Sequence, residues 1–417
     1  MPAGSSGEVP SEADVAVIGA GFTGLSAART LAQHGARVAV LEANTVGWGA
    51  SSRNGGMVLT GLKLSVETLA ARYGIELAQQ MYAASLKSID AVERIVAGEN
   101  IPCNFSRCGH LAVACKRSHF DGFARSAEFI QKHFNHALKI ASRNQLREEI
   151  GSSIYFGGMI DETSAGVNPA RYVAGLAQAA MRAGAAIYEN ARVCGVASVT
   201  QNGNHGFKVA CTRGDIFAKD VLLATSGYTS AATPALRRRI IPIGSFIIAT
   251  ESLPEALALE LSPRNRMIYD SRHYLHYYRL TPDRRMLFGG RAAFFPETRD
   301  TIRRSAAILR KGMVKVFPRL KDTKIEYAWG GTLDFCFDTM PHCGQINGIH
   351  FALGYAGHGV AMATYLGEKM AQKIAGSAEV IPFEGIRFPV APLGLYREKP
   401  WFLPLAGAYY KLLDWIS

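Results

Sequence analysis

The segment DVAVIGAGFTGLSAARTLAQHGARVAVLE, from Asp14 to Glu42, constrains the fold more than any other part of the chain. Asp14 to Ile18 is a short apolar run suited to a buried parallel strand. Leu25, Ala28, Leu31 and Ala32 then recur at helical spacing until Gly35, and Arg37 to Leu41 supplies a second strand. Between strand and helix stand Gly19, Gly21 and Gly24 in the spacing GxGxxG. The first glycine permits a tight turn, the second a close backbone approach to a pyrophosphate, and the third close packing of helix on strand. The helix start offers exposed N–H groups and about half a positive charge to phosphate. Phe22 and Thr23 begin that helix. Glu42, 21 residues after Gly21, is placed to accept bonds from ribose hydroxyls, with Ala43 beside it, and its charge repels a 2′-phosphate. These features predict a dinucleotide site.

A chain of 417 residues is long for one core, so two domains are expected. Hydrophobic residues at 48% and charged residues at 19% describe a well-packed chain. Residues 1–12 lack the basic start and apolar stretch of a signal peptide and read as a flexible tail. The longest apolar run, IIPIGSFIIAT, is interrupted by Pro242 and falls short of the roughly 20 residues that a spanning helix needs. Seven scattered cysteines without paired short spacing read as free thiols in a reducing cytoplasm, and no metal site is expected. The formal charge of +12 is dispersed and accompanies no nucleic-acid motif, so it is read as solubility.

Further along, GWGASSRNGGMV (Gly47 to Val58) gathers four glycines with Ala50, Ser51 and Ser52, which lets the backbone lie against something large and flat. A second GxGxxG between strand and helix is absent, so a separate NAD(P)H domain is not expected. Helical spacing covers Ser65 to Gly98 and Asn168 to Gly184, and Gly354 to Gly376 supplies a glycine-rich turn and a long helix. Strand patterns dominate Pro242 to Gly290.

The combination VIGAGFTGLSAA with Glu42, GWGASSRNGG, ARVCGV, LLATSGY, RRMLFGGR, WGGTLDFCFDTMPHCG and GYAGHGVAMATYLG resembles the FAD-dependent oxidoreductases of the D-amino-acid oxidase/glycine oxidase superfamily. Within it the chain is most similar to the gamma-glutamylputrescine oxidoreductase-like branch. The resemblance implies a mixed α/β fold: a Rossmann-type FAD-binding domain with an inserted antiparallel-sheet substrate domain. The discontinuous FAD domain is expected at 13–62, 145–232 and 325–378, the substrate domain at 63–144 and 233–324, and an aromatic tail at 379–417. By resemblance, the Val193 backbone touches the adenine. Ala50, Ser51, Arg53, Asn54, Gly55, Gly56 and Met57 line the pyrophosphate and flavin ring, with Gly227 of LLATSGY nearby. The resemblance also points the helix entered by Gly354, Gly357, His358, Gly359 and Val360 at the flavin, where its N-terminus favours the charge left by reduction.

Relatives that oxidise amino acids hold the substrate carboxylate with arginines. The resemblance puts Leu333 and Gly357 at those positions, and an unpaired carboxylate in a dry pocket costs several kcal/mol. The expected reaction is therefore oxidation of a C–N bond in an amine, of acylated diamine or polyamine type, with the imine hydrolysed to an aldehyde. Oxygen or a quinone would reoxidise the flavin. His358, Tyr278 and Arg291 are the candidate catalytic residues. Arg291, Arg272 and Arg53 are candidates for a distal carboxylate, and Asp334 is either an ammonium acceptor or a structural carboxylate. In HYLHYYRL, alternation sends His273, Leu275, Tyr277 and Arg279 to one face and Tyr274, His276 and Tyr278 to the other. One face roofs the pocket. The tail, with Leu405, Tyr409, Leu412 and Ile416 at helical spacing, either docks on the body or contacts a membrane surface or partner. Two other readings stay open: an oxidase or dehydrogenase of D- or secondary amino acids, and a flavin-containing subunit with little turnover.

Overall fold

Strands Glu12–Ile18, Val38–Leu41 and Gly214–Leu223 run parallel and end in register, Ile18 opposite both Leu41 and Leu223. In the computed structural model, which describes residues 7–290, 298–391, 396, 400–405 and 407–409, they form the centre of an eight-stranded sheet. Ala186–Tyr188 flanks it on one side and Ile349–Leu353, then His342–Ile346, on the other. A hairpin of Val193–Gln201 and Asn204–Cys211 adds to Gly214–Leu223 antiparallel. Near-continuous apolar runs such as VAVL suit strands covered on both faces. The carboxyl ends of these strands share one edge, which is where open α/β sheets bind ligands.

Four helices cover this sheet with one continuous core: Phe22–Gln33, Ile75–Gly98, Pro169–Arg182 and Gly359–Ile374. Asn168 caps the third by accepting the Arg171 N–H at 3.1 Å, with Pro169 in the first turn. The helical reading of residues 65 to 98 resolves into Val66–Tyr73 and Ile75–Gly98, separated by Gly74 at φ +83°. Along Ile75–Gly98, Ala78, Met81, Ser85, Ile89, Val92 and Ile95 are buried at helical spacing.

The second eight-stranded sheet runs in the order Ile325–Cys336, Ile240–Ser252, Arg285–Gly290, His276–Leu280, Met267–Asp270, His110–Val113, Gly157–Asp161, Lys139–Ser142. Its core holds Phe246, Ile248, Tyr278, Phe288 and Phe317 beneath helix Arg299–Val316. This partition moves three expected borders. Gly157–Asp161 and Ile325–Cys336 belong to the second sheet, and Ile75–Gly98 packs on the nucleotide core. Apolar periodicity identifies an element but not the sheet it joins.

Part of the tail docks on the body. Tyr396 is buried and its hydroxyl donates to the Ile240 carbonyl at 2.7 Å, and Leu403 packs with Ile241, Ile243 and Phe335. Trp401, Leu405 and Tyr409 have exposed surface. Leu412 and Ile416 lie outside the described residues. None of the described helices is long and apolar enough to cross a membrane.

The last helix meets the first at a glycine that the sequence reading did not single out. A Cβ on Gly367 would overlap the Thr23 carbonyl oxygen, a backbone atom. Alanine there gains up to about 1 kcal/mol of helix propensity but forces two helices apart, at about 1–3 kcal/mol. Gly367→Ala is expected to lower unfolding stability by about 1–2 kcal/mol net and to weaken FAD retention, read by denaturant titration and bound-flavin absorbance.

Candidate active site

Gly19 adopts φ +106°, and a Cβ on Gly24 would overlap its carbonyl oxygen, so strand, turn and helix close to a distance only glycine permits. A Cβ on Gly21 would stand 2.8 Å from Ser51 Oγ, which accepts the Phe22 N–H at 3.0 Å. The helix begins there without a side-chain cap. Glu42 turns back onto this cradle: one oxygen accepts the Ala20 N–H at 2.8 Å and the other the Asn44 N–H at 2.9 Å. Burial raises its pKa, against the lowering effect of these N–H groups.

Above the cradle lies a cavity of about 490 Å³. One end is formed by Glu42, Ala43, Arg192 and Val193, the middle by Gly19, Gly21, Phe22, Thr23 and Ser51, and the other by Leu333, Asp334, Tyr355, Gly357, Gly359 and Val360. A second cavity of about 240 Å³ adjoins it. Ala50, Asn54, Leu333, Gly357 and Val360 line both and mark the junction. Arg53, Gly55, Met57 and His358 belong to the second alone, with Leu59, Leu62, Lys63, Ser245, Tyr269, Leu275 and Tyr277. An elongated cofactor fits this shape: phosphates over the glycine turn, ribose at Glu42, and a flat ring at the junction.

Four expected cofactor residues stand behind the walls, one of them Gly24, packed on Gly19. Gly56, at φ +68°, supports the loop from below, its N–H donating to Asn54 Oδ1 at 2.7 Å. Gly227 backs onto Leu333, and Gly354 fits against the Met340 carbonyl. Sequence reading missed Trp48, Tyr228 and Tyr355. The ring of Tyr228 lies 5.6 Å from that of Trp48, and the Tyr355 hydroxyl meets Thr23 Oγ1 at 2.7 Å. Their neighbourhood in GWG, ATSGY and GYAG was the available signal.

The alternation read in HYLHYYRL holds within strand His276–Leu280, while His273 and Tyr274 lie in a turn before it, and it corrects one candidate. Leu275 and Tyr277 face the second cavity, whereas Tyr278 is fully buried in the core of the second sheet, its hydroxyl donating to Tyr155 at 2.8 Å and its ring stacked on Phe288. Tyr277 hydrogen-bonds Ser245 at 3.4 Å, and burial pushes its phenol to about 12. Period two fixes which residues share a face but not which face meets the ligand.

His358 caps the last helix and lines the second cavity. Burial chiefly, then the Lys63 ammonium, pushes its imidazole down to about 3, so the ring is neutral near pH 7. Its remaining accessible area is cavity wall. Its Nδ1 has no partner among the described residues. Arg272 is paired with Asp270 at 3.2 Å and lines neither cavity. The Arg53 guanidinium lies over the Trp48 ring, 4.8 Å from its centroid, and the residue lines the second cavity. Arg291 lies outside the described residues. Cys336, Asp338 and His342 bring metal-ligating atoms within 4.8 Å, with the imidazole spanning both Asp338 oxygens at 3.1 and 3.0 Å.

Asp334 is a brace. Only 3% exposed, it accepts the Gly354 N–H at 2.6 Å, and its own carbonyl accepts the Ala356 N–H. Burial raises its carboxyl from 3.8 to about 6. The folded state therefore favours the protonated form, and stability is lost as pH rises from the unfolded value through the folded one. Asparagine keeps an acceptor for Gly354 without the charge. The stability of the native protein relative to Asp334→Asn is expected to fall by about 3 kcal/mol between pH 3.5 and pH 7, read by denaturant unfolding across that range.

Residues 14–373 match the family described as DAO: FAD dependent oxidoreductase. The probable oxidoreductase OrdL of Haemophilus influenzae is 35% identical over 409 residues, covering 96% of this chain and 92% of that protein. Gamma-glutamylputrescine oxidoreductase of Escherichia coli is 31% identical over 404 residues, with the same coverage of each, 96% and 92%. Among solved structures, glycine oxidase from Geobacillus kaustophilus superimposes with a TM-score of 0.76 at 18% identity, covering 92% of this chain and 99% of that one. With a glycine cradle, a carboxylate folded back onto it and a match across nearly its whole length, this chain belongs to the DAO family of FAD-dependent oxidoreductases.

Proposed function

We propose that the protein oxidises the C–N bond of an amine of acylated diamine or polyamine type. The observation that carries this reading is the junction between the cavities, where Leu333, Gly357 and Val360 offer an apolar or backbone surface and no guanidinium among the described residues. A carboxylate brought there would be stripped of water without a bidentate partner. A neutral alkyl amine would not. The E. coli relative's name, gamma-glutamylputrescine oxidoreductase, supports the same substrate class.

A bound FAD would supply the hydride acceptor for the carbon next to nitrogen, and the imine would take up water to give an aldehyde and ammonia or an amine. The chain orients the substrate and excludes water. Leu59, Leu62, Leu275 and Tyr277 wall the second cavity, and orientation of this kind lowers barriers without any further reactive group. An imidazole at about 3 does not hold a proton taken from an ammonium at neutral pH, so His358 is not the base that frees the amine. It is suited to donate or accept a hydrogen bond. The start of helix Gly359–Ile374 adds about 1 kcal/mol of preference for negative charge at the junction. Lys63, Ser245 and Tyr269 line the second cavity away from the junction and supply polar contacts for the acyl end. Oxygen or a quinone reoxidises the cofactor in this reading.

Lys63 also motivates a second reading, in which its ammonium receives the carboxylate of an amino acid. Anaerobic mixing of the FAD-loaded protein with acylated diamines, sarcosine, proline analogues and D-amino acids separates the two. Fastest bleaching is expected with a mono-acylated diamine; faster bleaching by any amino acid rejects the proposal. Leu333→Arg places a guanidinium at the junction and is expected to tighten binding of short α-amino carboxylates about tenfold, seen as flavin absorbance changes on titration.

A further inference from the structure

Two arginines are buried among the described residues, and they differ in their partners. Arg266 is 7% exposed and bonds Glu149 and Glu162, each at 2.6 Å. Arg279 is as deeply placed at 6%, yet no carboxylate pairs with it among the described residues. Its Nη2 donates to the Val167 carbonyl at 2.7 Å, and its Nε, also buried, has no partner. Burial lowers its pKa to about 10, which leaves it charged at neutral pH. An unpaired buried cation is unfavourable for folding, so a negative charge absent from the chain itself is the natural complement.

The position says what that charge is. A Cβ on Gly56 would stand 2.7 Å from Arg279 Nη2, so the guanidinium presses on the loop Asn54–Met57. The other side of that loop is cavity: Asn54 lines both chambers, and Gly55 and Met57 line the second. Tyr277, two residues earlier and therefore on the same face of the strand, closes against Gly55, where a Cβ would be 3.0 Å from its ring. Arg279 thus sits one layer of backbone behind the wall at the cavity junction, in a medium that screens charge weakly.

We propose that the counter-ion of Arg279 is the negative charge that the bound flavin acquires on reduction, and that this arginine sets how readily the flavin takes it up. Arg279 reaches neither cavity, so it acts through the loop as a positioning charge. This holds for any substrate, because it rests on the FAD site alone.

Sulfite tests it, since it adds to oxidised flavin and leaves negative charge on the ring without turnover. The FAD-loaded protein and three variants are titrated with sulfite by loss of flavin colour and unfolded by heat. Arg279→Gln retains a donor for Val167 without the charge, Arg279→Met removes both, and Arg279→Lys keeps a cation. The neutral variants are expected to bind sulfite about tenfold or more weakly, with unfolding midpoints equal to or above that of the native protein, while lysine stays within about threefold. Sulfite affinity within about twofold of native in Arg279→Gln overturns the proposal. So does equal weakening in the lysine and glutamine variants, or neutral variants that fail to fold or to hold FAD. Each of those outcomes makes Arg279 structural.

Discussion

The close approach of helix Phe22–Gln33 to its neighbours on two sides underlies the rest of the structure. On one side Gly24 lies against the Gly19 carbonyl, and on the other Gly367 brings helix Gly359–Ile374 against Thr23. Polar contacts fix the sliding coordinate: Ser26 donates to the Thr364 carbonyl at 2.8 Å, and Thr23 meets Tyr355 at 2.7 Å. Two helix starts are thereby aimed at one cavity, the first at the glycine turn and the second beside Leu333 and Asp334. Helix termini act only over about a turn, so this convergence depends on packing without side chains in between.

Much of this half was legible in the sequence. Glycines at fixed spacing, a carboxylate after the second strand and a glycine-entered helix each carry a local steric or electrostatic meaning. The pocket half was less legible. Tyr277 and Tyr278 are adjacent in a strand, and only tertiary packing decides that the first meets the cavity and the second fills a core. Lys63 had no signal, being a single cation after a glycine-rich stretch. Domain borders shifted for a related reason: Ile325–Cys336 reads as a strand, but its partner Ile240–Ser252 lies some 80 residues away, at a distance that no local pattern encodes.

Charge is distributed in the site with a clear polarity. Glu42 and Asp334 are carboxylates held by backbone N–H groups, one beside each end of the larger cavity. The cations are spread around the two chambers: Arg192 beside Glu42, Arg53 over Trp48, Lys63 in the smaller chamber and Arg279 behind the loop. Leu333, Gly357 and Val360 leave apolar and backbone surface where the two cavities meet.

Strand Ile325–Cys336 is a shared wall of the two halves. It pairs in unbroken register with Ile240–Ala249 along most of its length, and near its end Leu333 faces both cavities while Asp334 props the turn at Gly354. Because neighbouring side chains point to opposite faces, an insertion or deletion of one residue upstream would exchange these two duties at once. The side chain at position 333 can therefore vary while the brace stays in place, whereas a change in the length of this segment would disturb both.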